Sequence, residues 1–204
     1  MKIEEMFYVN QLEYAHIPYP TDIEHPQSEY ACFGTVRTAG CGLCAVCMVT
    51  GCLTGQMLSL ETCRDISVLI GANRQIGTDM KLLGKAVAER FQLQMTTTND
   101  TAEMATFLHQ GGVAIANVSG DRENYHGIFS NIGHYIVVTG EAEGFFQIYD
   151  PSWTPEKYSY SARYNEVYQE GKTVYATADV LREETSGKNP AFYLFFRKCS
   201  EKGL

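Results

Sequence analysis

With 204 residues, 45 % of them hydrophobic and 20 % charged, the chain has the composition of a globular protein and the length to bury a substantial core without metal or disulfide support. Its net charge of −8 and the lack of any Lys/Arg cluster argue against a nucleic-acid partner, and no run of about 18 apolar residues offers a membrane span. The opening Met1-Lys2-Ile3-Glu4-Glu5-Met6 lacks the apolar stretch of a signal peptide, so the sequence reads as cytoplasmic, or as secreted if such a peptide has been removed.

In chain order, residues 7–38 carry Pro18, Pro20 and Pro26 and no sustained periodicity, which predicts an extended, irregular arm. Residues 41–53 are apolar around nearly the whole helical circumference, which predicts a central helix buried on all sides. Two further helices follow. One is opened by Ser59, with Leu60, Cys63, Ile66 and Ile70 near helical spacing and Gly71 at its end. The other is capped by Thr78, with Met80, Leu83, Val87 and Phe91 on one face.

Residues 93–98 read as a strand, and Asp100-Thr101-Ala102-Glu103 as a capping-box-like start of a helix reaching His109 and ended by Gly111-Gly112. Strand signals then dominate, at 113–118, 134–139, 145–149, 173–178 and 191–197. Helices first and sheet second predicts an α+β fold, a central helix packed against an antiparallel β-sheet. With no repeat, low-complexity tract or long linker, residues 1–204 read as a single domain.

Seven cysteines, at 32, 41, 44, 47, 52, 63 and 199, make a poor disulfide framework. The count is odd, and thiols three apart along one helix do not meet in bridging geometry, so most read as small buried hydrophobes in a reducing compartment. Cys41 differs. Bracketed by Gly40 and Gly42, it stands at the predicted N-terminus of the central helix, where unsatisfied backbone N–H groups favour thiolate over thiol.

His134 and Asp150 follow it in the chain, giving thiol, imidazole and carboxylate in that order. A three-residue turn centred on Ala142 would set His134 directly across from Asp150 at the end of a hairpin face that also carries Ile136, Val138, Phe146 and Ile148. In that register Asp150 fixes the tautomer of His134, His134 serves Cys41 as general base and later acid, and Cys41 attacks an acyl carbonyl. The Cys41 N–H supplies one donor to the anionic intermediate, and a side-chain amide is needed for a second.

The sequence resembles the papain-like cysteine peptidases of the double-glycine-leader (bacteriocin-processing) type and their stand-alone relatives. The resemblance covers about residues 8–155 and rests on Asn10-Gln11 followed by Tyr14 and Pro18-Tyr19, on Gly40-Cys41-Gly42 heading a buried helix, on Gly133-His134-Tyr135 opening a strand, and on Asp150-Pro151 closing the next. It implies a papain-like fold, a peptide or protein substrate and no cofactor. It further implies Cys41 as nucleophile, His134 as base, Asp150 as its orienting partner and an upstream glutamine, for which Gln11 is the candidate, as oxyanion donor. Cys41-Gly42-Leu43-Cys44 is nearer the leader-peptidase form than the Cys-Gly-Pro-Thr of many stand-alone relatives, yet the sequence has neither a membrane span nor a phosphate-binding Gly-rich loop.

Two other functions fit the same residues. An acyltransferase or amidase acting on a γ-glutamyl or isopeptide bond would use the same triad. A non-catalytic Cys-rich metal-binding or interaction protein would use the overlapping C-x-x-C spacings of Cys41, Cys44 and Cys47 instead. His126 reads as a solvated loop residue, Trp153 as either a shield for the His–Asp pair or core packing, and Tyr158, Tyr160, Tyr164 and Tyr168 as a packing surface or, alternatively, a substrate-binding aromatic wall.

Overall fold

A computed structural model describes residues 7–159, 163 and 165–198; Met1 to Met6, Tyr160, Tyr164 and Cys199 lie outside them. Among the described residues no helix is long and apolar enough to cross a membrane. The predicted irregular arm contains local structure: a 3₁₀ turn at Gln11–Glu13 and two short helices, α1 (Glu29–Phe33) and α2 (Val36–Ala39). Each has a polar start, from Asn10, Ser28 and the reciprocal Thr35–Thr38 capping box. Elements this short carry no hydrophobic period, which is why periodicity missed them.

Helix α3 (Cys41–Thr54) is the predicted buried helix, with Gly42 to Gly51 and Leu53 all buried. Helix α4 (Leu60–Leu69) starts at Ser59, whose side chain accepts from the Thr62 N–H. Helix α5 (Met80–Arg90) is capped by Asp79 rather than by the predicted Thr78. Thr78 is drawn instead into a buried contact between its Oγ1 and the Tyr19 hydroxyl at 2.9 Å.

The remaining elements are β1 (Leu93–Thr98), α6 (Thr101–His109), β2 (Val113–Val118), β3 (His134–Ala142), β4 (Phe145–Tyr149), β5 (Tyr168–Glu170), β6 (Thr173–Thr177), α7 (Ala178–Glu184) and β7 (Phe192–Arg197). Asp100 caps α6, but Glu103 takes the Thr98 hydroxyl rather than closing a capping box. Strand β5 and helix α7 were not legible in the sequence.

The strands form one antiparallel sheet in the order β1-β7-β2-β3-β4-β6-β5, so the predicted α+β architecture holds. Alternation along the strands divides the core in two. Val113, Ile115, Val137, Tyr149 and Phe195 pack with α3, whereas Ala114, Ala116, Ile136, Val138, Phe146 and Ile148 pack with Met104 and Leu108 of α6 and Leu181 of α7.

Candidate active site

The head of α3 is fixed by close backbone packing. A Cβ on Gly42 would lie 2.7 Å from Thr78 Cβ, and one on Gly40 would lie 2.5 Å from the Val36 carbonyl oxygen, so both glycines that flank Cys41 are places where only glycine fits. Cys41 is half-buried and keeps part of its surface at a cleft. No side chain caps the helix start, which leaves the first N–H groups of α3 beside the thiol.

His134 opens β3 and Asp150 directly follows β4, but the hairpin that joins them differs from the expected one. The loop is the two-residue Glu143-Gly144, both at positive φ (55° and 84°), and Ala142 pairs with Phe145 instead of occupying the centre of a three-residue turn. In that register His134 and Asp150 would face opposite sides of the sheet. The pairing then shifts between Val138 and Gly140, where Thr139 forms a β-bulge, and beyond it Val138 pairs with Ile148 and Val137 with Tyr149. The extra residue returns His134 to the face of Asp150 as a diagonal rather than a direct neighbour, and the two side chains meet with Nε2···Oδ1 at 2.8 Å.

Asp150 is fully buried and saturated with donors. Oδ1 accepts from the Ser152 N–H at 2.8 Å as well as pairing with His134, while Oδ2 accepts from Lys157 Nζ at 2.5 Å and the Tyr158 hydroxyl at 2.6 Å. The arm clamps the same segment from outside. Tyr8 donates its hydroxyl to the Asp150 carbonyl, Gln11 its backbone N–H to the Pro151 carbonyl, and Asn10 its side-chain amide to the Trp153 carbonyl. Ser152, Lys157 and Tyr158 were not predicted at the site. They lie in a turn-rich stretch where a lysine normally faces water, and Tyr158 had read as packing surface.

These contacts set the charges. Burial raises the Cys41 pKa, but the positive charge and hydrogen bond of His134, helped by the N–H groups of Tyr135 and Gly42, outweigh it and hold the thiol below its ordinary value. Burial alone would lower His134; the Cys41 charge and the Asp150 hydrogen bond overcome that and push it up to about 9. Burial alone would raise Asp150, but Lys157 and His134 hold it well below the carboxylate range. Burial pushes Cys44 well above the ordinary thiol value, as a side-chain hydrogen bond donated to Cys47 and burial do for Cys63, so these two remain thiols. With Nε2 given to Asp150, the nitrogen left for the sulfur is Nδ1.

The cleft beside Cys41 has a volume of about 370 Å³, and its lining includes Ile76, Ile132, Asn117, Tyr135 and Lys188. Ile132 and Gly133 of its lining follow a segment anchored by the buried Glu184, which accepts from the Tyr125 hydroxyl and the Ile128 and Phe129 N–H groups. Gln11 is buried but does not line the cleft. Its Nε2 donates to the Arg37 carbonyl at 2.8 Å, on the helix that leads into Cys41, and its Oε1 has no hydrogen-bond partner among the described residues.

His126 is exposed, and Trp153 is half-buried against the α6/α7 core. Among the described residues no three His, Cys, Asp or Glu side chains converge on a point.

No protein-family model and no curated protein matches the chain. Solved structures do. The peptidase domain of Streptococcus ComA, a bi-functional ABC transporter involved in a quorum-sensing pathway, superposes with a TM-score of 0.50 at 16 % identity, over 76 % of this chain and 88 % of that one. A Bacillus anthracis protein assigned as a C39-like peptidase superposes with a TM-score of 0.52 at 11 % identity, over 78 % of this chain and 89 % of that one. The helix-on-antiparallel-sheet architecture built above is therefore the papain-like fold of the C39 type, the resemblance read from Gly40-Cys41-Gly42, Gly133-His134-Tyr135 and Asp150-Pro151.

Proposed function

We propose that the chain, folded as a single domain over residues 1–204, is a cysteine peptidase that hydrolyses a peptide or amide bond through a thioester. The observation that carries this reading is the buried, hydrogen-bonded His134–Asp150 pair sharing a cleft with Cys41, whose sulfur stands at a helix N-terminus. A thiolate–imidazolium pair is the resting form favoured by the pKa directions of Cys41 and His134. The Cys41 sulfur adds to the acyl carbonyl, and the anionic oxygen is held by the Cys41 N–H. Gln11 is the second donor in this reading, through the Nε2 hydrogen not given to Arg37.

The Nδ1 proton of His134 passes to the leaving amine as the C–N bond breaks, leaving the thioester and a neutral imidazole. That imidazole then takes a proton from water, the hydroxide adds to the thioester, and the thiolate departs beside the restored imidazolium. Throughout, Asp150 keeps the imidazole ring oriented and compensates its charge.

Iodoacetamide labelling with peptide mapping tests the nucleophile. Cys41 is expected to react far faster at neutral pH than the other cysteines, and His134→Ala to abolish the difference. Equal rates at all cysteines would overturn the assignment. A peptide-library digest by wild type, with Cys41→Ala as the inactive control, then identifies the cleaved bond.

A further inference from the structure

Lys188 stands out in the cleft wall. Apart from the Cys41–His134 pair, whose charges cancel, it is the one charged side chain among the described residues that line the cleft, in a protein of net charge −8. Its side chain is half-buried, and among the described residues its ammonium makes no hydrogen bond or ion pair. Burying part of a cation without a partner has a cost that a bound anion would remove.

The loop that carries Lys188 is held in place. The Lys188 N–H donates to the Thr185 carbonyl at 3.0 Å, and Asn117 bonds across to Ala191 through its N–H at 2.8 Å. From there the side chain reaches over Gly133, placing Nζ 3.4 Å from the point that a Cβ on Gly133 would occupy, one residue from His134. Asp79, next in the chain to the cleft-lining Thr78, makes no ion pair with Lys188 among the described residues, and its Oδ1 accepts from the Lys81 and Leu82 N–H groups at the start of α5.

We infer that Lys188 selects substrates carrying a carboxylate next to the bond that Cys41 attacks, whether an acidic side chain or a free chain terminus; this rests on the peptidase reading above. A lysine suits such a contact as a flexible point charge that needs no fixed bidentate geometry.

The test compares two probes of nearly equal size, iodoacetate and iodoacetamide, by their alkylation rates at Cys41. The ratio of the two rates cancels any change in the thiolate itself and reports the field felt by a carboxylate entering the cleft. At low salt the ratio is expected to fall about three- to tenfold in Lys188→Gln and further in Lys188→Glu, to stay near wild type in Lys188→Arg, and to converge among all variants at high salt.

Equal ratios in wild type and Lys188→Glu, with Cys41 still labelled fast by iodoacetamide, would overturn the inference and leave the peptidase reading standing. Slow iodoacetamide labelling of Cys41 in wild type would instead overturn the peptidase reading, and this inference with it. Three cleavable peptides separate the two sources: one with Glu beside the bond and an amidated end, one with Gln there and an amidated end, and one with Gln and a free end. Preference for the first assigns the contact to an acidic side chain, preference for the third to a terminal carboxylate, and no preference overturns the inference.

Discussion

Replacing Lys157 with methionine removes one charge from the site while keeping much of the aliphatic stem. Lys157 Nζ lies 2.6 Å from Ser152 Oγ, which lies 3.2 Å from His134 Nε2, so ammonium and imidazole are no more than about 6 Å apart. Two like charges at that distance, in an effective dielectric of about 20, repel by about 3 kcal/mol, or about 2 pKa units. Lys157 therefore opposes the imidazolium that Cys41 and Asp150 favour. Relaxation of Asp150 and Ser152 in the variant would absorb part of this, leaving an expected rise of about 1–2 units above the wild-type His134 value of about 9.

The assay is the pH dependence of Cys41 alkylation by iodoacetamide, whose upper inflection reports the loss of the imidazolium proton. Lys157→Met should move that inflection upward and, because it strips a buried carboxylate of one partner, lower the unfolding free energy by about 3 kcal/mol in urea. An inflection at or below the wild-type position, in a variant with unchanged circular dichroism, would refute the view that Lys157 restrains His134.

Gln11→Ala should reduce kcat/KM for peptide cleavage by about 10²–10³-fold while slowing Cys41 alkylation much less, since an oxyanion donor acts only on acyl chemistry; equal losses in both rates would count against the role. Gly42→Ala places a Cβ 2.7 Å from Thr78 Cβ and should cost about 1–3 kcal/mol, read as a lowered Tm. The folded-state pKa of Asp150 is depressed, so its contribution to stability is complete above its unfolded value of about 4 and is lost as the pH falls below that; urea unfolding from pH 7 down to pH 2 should show the decline, and Asp150→Asn should flatten it. Glu184→Gln leaves one of three donors in the 125–129 segment without its acceptor, so limited proteolysis should nick residues 121–133 faster than in wild type.

The periodic parts of the chain were readable because burial imposes a period. The all-round apolar sequence from Cys41 gave α3, and alternation gave the face shared by Ile136, Val138, Phe146 and Ile148. The hairpin turn was misread, since Glu at positive φ gives no local signal of the kind that Asn-Gly does. The face assignment survived because the bulge at Thr139 offsets the shorter loop. Bulges leave little trace in residue type, so nothing in the sequence announced that compensation.

Ser152 and Lys157 themselves lie in a turn-rich stretch without a period, so although Lys157 is only seven positions from Asp150 and five from Ser152, no pattern in the sequence marks the lysine as buried. Helix α7 is brief and begins directly after β6: the strand expected at 173–178 took in its first residue, Ala178, and Val180 and Leu181 alone are too few to set a helical period.

The contacts between the arm and the residues after β4 also govern when the site comes into being. Tyr8 and the Asp150 carbonyl it holds are separated by 142 positions, and Asn10 and Trp153 by 143, among the most distant pairings in the molecule. Contacts of such long range close after the local helices and hairpins have formed, because they carry the largest loop-closure entropy. During synthesis the thiol of Cys41 emerges long before the segment that seats its imidazole partner. The orienting carboxylate is clamped only when the arm folds back over it. A nascent or partly unfolded chain thus holds an unpaired cysteine of ordinary reactivity, and the nucleophilic power that the proposed function assigns to Cys41 arrives as one of the last consequences of folding.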